Sequence, residues 1–194
     1  MATDSKHALI SLEEMKVYKR EESDQYDPLL EMLINSLSIA FEKDCGGRVF
    51  IEATYTTTYL DGTGNRMLMV PHYPVTSIES VIEDETTLTE GSEEDYVIFG
   101  AEGEGYLWRV NGVWSAACKK NIKLTNLKAG YLLASVPSDL KLAAMIMVEK
   151  EFQKSTNKAG AESTRSFPDM SISWDFGRDE YVKETLRKYR RMSL

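Results

Sequence analysis

The sequence predicts an α+β fold in which a small helical bundle carries an antiparallel β insertion. Apolar residues recur at helical spacing near both ends of the chain. The segment between them is dense in β-branched and aromatic residues and is divided by turn-forming residues. We expect helices at about 12–18, 28–45, 139–154 and 179–190, a helical core from 10–47 and 136–154, and a β insertion at about 53–130.

The composition describes an acidic chain that needs no disulfides. With 194 residues it can bury roughly 70% of its unfolded surface, enough for one domain with an insertion. A net charge of -8 argues against a protein that grips nucleic acid by neutralising phosphates. Two cysteines, Cys45 and Cys118, favour buried thiols of a cytosolic protein. Neither a signal peptide nor a membrane span is expected, so we expect assembly in the cytoplasm.

The first helix is predicted from a capping box. Ser11 can accept a hydrogen bond from the amide of Glu14, whose carboxylate can reach back to Ser11. Ile10 and Met15 are placed to pack against each other as a hydrophobic staple. A short helix to about Tyr18 follows.

The second helix is predicted to start at Asp27 as its cap, with Pro28 in the first position, and to end at Gly46 and Gly47. Its apolar residues recur on one side: Leu30, Leu33, Ile34, Leu37, Ala40 and Phe41. This amphipathic helix is the expected partner of the central helix.

The β insertion is predicted to open with a hairpin. Residues 54–60 form one strand, 61–65 are turn residues and 66–70 return as a second strand. Pro71 and Pro74 then interrupt the ladder. Further strands are expected at 78–82, before an acidic turn at 83–85, and at 96–99, 106–110 and 122–127.

A central helix is predicted to follow Pro137, with Ser138 as its cap and Asp139 in its first turn. Residues 142–148 are apolar on every face, so we expect them to be enclosed by other elements or subunits. The helices should therefore hold the hydrophobic centre, with the sheet as an outer appendage.

Residues 155–194 are predicted to be a mobile loop and a C-terminal docking arm. The stretch 155–165 lacks large apolar residues, and Ile172, Trp174 and Phe176 alternate as in a short extended arm. The last helix has a narrow apolar stripe, so we expect it to dock on another surface.

Charge is distributed unevenly. Every charged residue from Glu79 to Glu104 is acidic, whereas the C-terminal helix ends in basic residues. Solvated surfaces account for this pattern, and so do complementary patches that meet on different subunits. Both interpretations are open.

No motif predicts an enzyme, a metal site or a cofactor. The sequence has no Gly-x-Ser-x-Gly motif that would supply a serine nucleophile for His7 or His72. The two cysteines are not grouped with other residues at the spacing of a zinc site. A carboxylate pair such as Glu83 with Asp95 is a remaining hydrolase hypothesis, which requires a concave pocket.

The order of elements resembles the head-tail connector (adaptor, or head completion) proteins of tailed bacteriophages. The resemblance covers about residues 10–152, and its most specific parts are Val70–Val81 and Ala129–Lys141. Asn126 departs from it, since family members often carry an aromatic residue there. Gly130 is expected to adopt a backbone angle that other residues resist.

The resemblance implies a structural protein of the virion neck. Such proteins form a ring, usually of twelve copies, that joins the capsid portal to a stopper or tail protein and lets double-stranded DNA pass without sequence-specific binding. The alternative is a non-viral acidic interaction module without affinity for portals.

Two groups of residues are candidate contact sites. The portal or subunit contact is predicted to comprise Trp174, Phe176, Tyr181, Leu186, Tyr189, Arg190 and Arg191. An acidic patch facing the channel or an interface is predicted to comprise Glu83, Asp84, Glu85, Glu93, Glu94 and Asp95.

Overall fold

The structure, a computed structural model, describes residues 6–100, 105–116, 119–159 and 179–190. These residues form four α-helices and eight strands, as the α+β prediction requires. The chain divides into two compact units. The helical unit comprises residues 1–51 and 132–194, and the β unit comprises residues 52–131.

The helical unit contains α1 (Leu12–Lys19), α2 (Asp27–Asp44), α3 (Ser138–Ala159) and α4 (Glu180–Tyr189). The predicted capping box is confirmed at α1: the amide of Glu14 donates to Ser11 Oγ over 3.1 Å, and the amide of Ser11 donates to the Glu14 carboxylate over 2.8 Å. Ile10 and Met15 are both buried.

Helix α2 begins one residue earlier than its predicted cap implies. Tyr26 is the N-cap and Asp27 is the first helical residue, with its carboxylate 3.0 Å from Lys16 Nζ. Its predicted end is confirmed, because Gly46 and Gly47 follow with φ angles of 77° and 75°, which cost glycine little.

Helix α3 is longer than predicted, and within the single chain one side of it is exposed. It continues to Ala159 rather than ending near residue 154, so the predicted loop does not begin at Ser155. The hydroxyl groups of Ser155 and Thr156 donate to the carbonyl of Phe152 within this last part of the helix. Leu142 is 39% exposed. The apolar stretch 142–148 is therefore buried on one side only, where α1, α2 and α4 contact the helix.

The β unit contains two antiparallel sheets. The first has the order β1-β8-β4-β5, with β3 also paired to β8, and the second has the order β2-β7-β6. The strands are β1 (Ala53–Leu60), β2 (Met67–Met69), β3 (Val75–Ser77), β4 (Ser80–Glu83), β5 (Thr86–Leu88), β6 (Tyr96–Phe99), β7 (Tyr106–Arg109) and β8 (Ile122–Ala129).

The predicted hairpin of residues 54–70 is wrong. β1 pairs with β8, from Ala53 opposite Ala129 to Leu60 opposite Ile122, while β2 pairs with β7. The turn residues 61–65 thus carry the chain from one sheet to the other. Turn chemistry predicts that the chain changes direction, but not which strand pairs with which, and β8 offers β1 a partner of equal length.

The acidic turn was predicted correctly, but the strand after it was missed. Asp84 and Glu85 adopt left-handed backbone angles, with φ of 45° and 69°, and they join β4 to β5 as a hairpin. The two-residue left-handed turn matches the twist of the flanking strands. Predicted Gly130 also has a positive φ, of 114°.

The β unit has a hydrophobic core of its own, so it is not the appendage that we expected. Buried residues from both sheets form one cluster, which includes Leu107, Ile122 and Trp114. The Trp114 indole is fully buried, and its Nε1 donates to the carbonyl of Arg66 over 2.9 Å. Each sheet thus turns one apolar face towards the interior of this unit.

Candidate functional site

Helix α4 docks on its own helical unit. Asp179 caps the helix by accepting a hydrogen bond from the amide of Val182 over 3.2 Å. Val182, Thr185 and Leu186 are buried. The narrow apolar stripe that the sequence shows is therefore used within the chain.

Asp139, at the start of α3, holds the exposed edge of α4. Tyr189 Oη donates to its carboxylate over 2.7 Å, Lys188 Nζ lies 3.4 Å from the same carboxylate, and Tyr181 Oη is 3.4 Å from its carbonyl. Burial by itself raises the pKa of Asp139. The hydrogen bonds from Tyr189, Lys188 and the amide of Leu140 outweigh that effect, so the pKa is lowered overall.

Buried Arg48 anchors the end of α4. Its Nη1 donates to the carbonyl of Tyr189 over 3.0 Å. The guanidinium lies 5.3 Å and 5.7 Å from the ring centroids of Phe50 and Tyr189, which meet edge to face. The thiol of Cys45 lies 3.6 Å from the carbonyl of Leu186, and burial raises its pKa to about 12.

The predicted contact residues of the C-terminal arm do not share one surface. Leu186 is buried and Tyr189 is half-buried against the helical unit, so these two residues fix α4 in place instead of offering a contact. Tyr181 and Arg190 are exposed. Trp174, Phe176 and Arg191 lie outside the described residues.

The exposed face of α4 also contains Arg187, which the site prediction omitted. Its position one residue after Leu186 places it next to the buried stripe, so the helical period of 3.6 residues could have identified it.

The predicted acidic patch is interrupted by a basic residue from another strand. Arg109 Nη2 lies 3.1 Å from the carboxylate of Glu83, and Nη1 lies 3.6 Å from that of Asp95. Glu83 is 7% exposed and also accepts a hydrogen bond from the amide of Ser115. Glu83 is therefore an internal ion-pair partner and does not belong to an exposed patch, which is a correction to the prediction.

Four carboxylates of the patch are exposed: Asp84, Glu85, Glu93 and Glu94. The two that were considered as a hydrolase pair, Glu83 and Asp95, bind opposite ends of one guanidinium. A guanidinium shared in this way makes charge-assisted contacts with both carboxylates. This arrangement is that of a structural ion pair.

An apolar sheet face was not predicted from the sequence. On the three-stranded sheet, Met67, Trp108 and Val97 lie opposite one another, and so do Met69, Tyr106 and Phe99. The intervening Leu68 and Leu107 point into the core. We call the six residues the outer face of this sheet.

No helix in the described part of the chain is long and apolar enough to cross a membrane. Among the same residues, no three His, Cys, Asp or Glu side chains are grouped so as to hold a metal ion.

Solved structures with a similar fold come from the neck of gene transfer agent (GTA) particles. A chain in the neck of a native GTA particle, computed with C12 symmetry, is 12% identical with a TM-score of 0.56. A chain in the neck of an empty GTA particle, computed with C6 symmetry, is 12% identical with a TM-score of 0.59. A chain of the native GTA virion is 12% identical with a TM-score of 0.57. Each comparison covers 100% of this chain and 94% of the other.

These likenesses show that the chain shares its fold with chains of GTA particles, including chains of the particle neck. The particular family follows from the sequence: the family model of head completion proteins matches residues 8–192, so the chain belongs to the head completion protein family. No curated protein matches the sequence. The resemblance to head-tail connector proteins is thereby confirmed, and the chain is a structural head completion protein.

Proposed function

We propose that copies of this chain form a ring in the neck of a tailed particle, between the capsid portal and the next neck or tail protein. Double-stranded DNA passes through the ring without sequence-specific binding. The ring contains twelve copies, the number that the connector resemblance implies. The whole-length family match over residues 8–192 carries this proposal, because it includes both the helical unit and the β unit.

The charge of the chain supports a role beside DNA that does not grip it. A net charge of -8 opposes tight binding to phosphates. The exposed carboxylates at Asp84, Glu85, Glu93 and Glu94 add to that opposition locally. An acidic surface lining a channel repels the phosphate backbone and lets DNA slide.

The C-terminal segment is our proposed contact with the portal or a neighbouring subunit. In the folded chain, Tyr181 and Arg190 are the exposed members of that set, and Arg187 joins them. Trp174, Phe176 and Arg191 stay in the proposal on their sequence positions alone. Leu186 and Tyr189 act indirectly, because they hold α4 on the helical unit.

The test is to mix the purified protein with its cognate portal and record electron micrographs and masses of the complexes. We expect ring-shaped density on one end of the portal and a mass increase of several protomers. A stable monomer without affinity for the portal contradicts the proposal and favours an acidic interaction module. The wild-type protein is used for this first test, so that no variant can confuse loss of folding with loss of binding.

A variant pair then examines the C-terminal contact. Arg187→Glu with Arg190→Glu reverses two exposed charges without touching the buried stripe. Lys43→Glu, an exposed charge reversal at the end of α2, is the matched control. Loss of portal complexes in the α4 variant alone supports the contact, and equal binding by both variants removes it.

A further inference from the structure

Strand β1 forms one edge of the five-stranded sheet. It pairs with β8 from Ala53 to Leu60, and no strand in the described part of the chain pairs with its other side. With eight residues it is longer than the other edge strands β2, β5 and β6, which have three or four. An edge strand of this length presents a row of backbone hydrogen-bonding groups to its surroundings.

The backbone groups of Thr57 and Tyr59 point away from β8. The carbonyls of Asn121, just before β8, and of Thr125 accept hydrogen bonds from amides beside β4, each over 3.1 Å. Alternate residues of an antiparallel strand direct their backbone groups to the same side, so Lys123 also faces β4. Thr57 and Tyr59 lie opposite Thr125 and Lys123, and their amides and carbonyls therefore point out of the sheet. We call these groups the β1 edge.

The β1 edge lacks the charges and prolines that usually prevent pairing. Residues 53–60 include no charged residue and no proline, and most of them are threonine or tyrosine, which favour strands. Thr54, Thr56 and Thr57 are exposed, and Tyr59 is 52% exposed. Soluble proteins normally block a long edge with lysine, proline or a covering segment. An edge in this state is suited to receiving another strand.

Strand β1 is held in place on its paired side. Before it begins, the amide of Glu52 donates to the carbonyl of Tyr131 over 2.9 Å. After it ends, the carboxylate of Asp61 accepts a hydrogen bond from the amide of Lys120 over 2.6 Å. Leu60 packs against the core of the β unit. Because β1 is already ordered, a strand added to it costs this chain little conformational entropy.

The exposed side of β8 carries two lysines next to this edge. Lys128 and Lys123 lie opposite Thr54 and Tyr59, and both alternate with core residues of β8, so they extend from the exposed side of the sheet. The acidic turn that the proposed function assigns to the channel joins β4 to β5, at the other edge. Acidic residues on the exposed side of an added strand would therefore be favoured at the β1 edge.

The length of the β1 edge distinguishes its possible occupants. The other sheet edges of a second copy have three or four residues and cannot match eight. Self-pairing of β1 matches in length, but it gives a two-fold dimer, which does not fit a ring with a different neighbour on each side. The proposed function assigns the C-terminal segment of the helical unit to the portal or a neighbouring subunit. The remaining neighbour is the next neck or tail protein.

We propose that the next neck or tail protein adds an extended strand to the β1 edge, with acidic side chains towards Lys123 and Lys128. Backbone hydrogen bonds to Thr57 and Tyr59 supply the affinity, and the two lysines select the strand. The proposal rests on the ring of the proposed function and adds the surface through which the ring meets the protein that follows it.

Hydrogen exchange tests the added strand directly. In the purified protein, the amides of Thr57 and Tyr59 should exchange rapidly, whereas those of Thr58 and Leu60, which face β8, should be protected. In a complex with the purified next neck protein of the same particle, exchange at Thr57 and Tyr59 should slow by about tenfold or more. Unchanged exchange at these two amides in a complex that has formed overturns the proposal.

A variant pair at one position separates backbone pairing from side-chain contact. Thr57→Pro removes an amide that β8 does not use, and it should weaken binding of the next neck protein by roughly tenfold or more. Thr57→Val keeps the amide and a β-branched side chain, so it is the matched control and should bind like the wild type. Circular dichroism melting curves check folding. Thr57→Lys, which keeps the backbone and adds an edge charge, replaces the proline variant if that variant is unfolded.

The outcomes separate this inference from the proposed function. If wild-type rings form on the portal, while Thr57→Pro and Thr57→Lys bind the next neck protein as the wild type does, the added strand is wrong and the ring stands. Protection of the β1 edge in the wild-type protein alone, lost on dilution, assigns the edge to a second copy and also overturns the proposal. If the wild-type protein does not bind the portal, the neck proposal fails. Exchange with the next neck protein then decides the added strand by itself.

Discussion

Asp139 is expected to control whether α4 stays on the helical unit. Its carboxylate accepts hydrogen bonds from Tyr189 Oη at 2.7 Å and from Lys188 Nζ at 3.4 Å. Lys188 is 66% exposed, so solvent screening leaves its ion pair with little net effect. A hydrogen bond to a charged group contributes about 1.5–3 kcal/mol. Asp139→Asn keeps an acceptor for the amide of Leu140 and removes the charge, so the loss falls mainly on the Tyr189 contact.

Hydrogen exchange of the α4 amides measures this loss, because a ten-residue helix is marginal once it leaves its packing partners. We expect exchange in α4 to accelerate about 10- to 100-fold in Asp139→Asn, with α1 and α2 unchanged. Tyr189→Phe should give a similar acceleration, and the double variant should add little, because both changes remove one interaction. Glu151→Gln, which removes an ion pair with Lys154 on the same helix, is the control. Unchanged exchange in Asp139→Asn refutes the role assigned to this carboxylate.

The same contact predicts a direction of pH dependence. The pKa of Asp139 in the folded protein is lowered from its ordinary value of 3.8. Its contribution is therefore complete above the unfolded-state pKa and is lost as the pH falls through the lowered value. In acid, the protection factors of the α4 amides should fall in the wild-type protein, and the difference in protection from Asp139→Asn should shrink. A constant difference between the two proteins across this acid range contradicts the linkage.

Three further predictions concern the core, an ion pair and a thiol. Leu107→Ala removes a fully buried side chain from the β unit, and we expect a loss of about 2–5 kcal/mol in the unfolding free energy of that unit. The unfolding transition followed by Trp fluorescence should move to a lower denaturant concentration. An equal loss of hydrogen-exchange protection in the helical unit would show that the two units do not have separate cores. Arg109→Met leaves buried Glu83 without its cation, which should lower the unfolding free energy by about 3–5 kcal/mol. The double variant Arg109→Met with Glu83→Gln should lose less stability, because no unpaired charge stays buried. Identical melting temperatures for the single and the double variant would contradict a buried ion pair. Burial raises the pKa of the Cys45 thiol to about 12. In a Cys118→Ser protein, Cys45 should therefore resist a thiol reagent at pH 8 until denaturant is added. Rapid labelling of the folded protein would contradict the burial of Cys45.

The sequence determined the local structure of the helices well, because short-range chemistry decides it. The capping box of Ser11 and Glu14 and the stop at Gly46 and Gly47 need only neighbouring residues, and both were predicted. The positive φ of Gly130 was also predictable, because it depends on the residue type at that position. Family membership was also predictable, because the order and spacing of elements along the chain carry it.

Strand pairing and the character of the surfaces were decided by tertiary structure. β1 prefers β8 to its sequence neighbour β2 because the two sheets of the β unit bury opposing apolar faces, and no local signal encodes that choice. In the same way, Arg109 forms an ion pair with Glu83, which is distant from it in the sequence. The run of acidic residues around Glu83 had predicted an exposed position for it.

The C-terminal helix shows most clearly what the sequence determines and what the tertiary structure decides. Its narrow apolar stripe predicted a docking element, since such a helix cannot bury itself alone. The sequence by itself therefore determined that α4 must pack against a partner surface. Only the tertiary structure decided that this surface is the helical unit of its own chain, because Arg48, Phe50 and Asp139, from distant parts of the sequence, come together there to receive Tyr189.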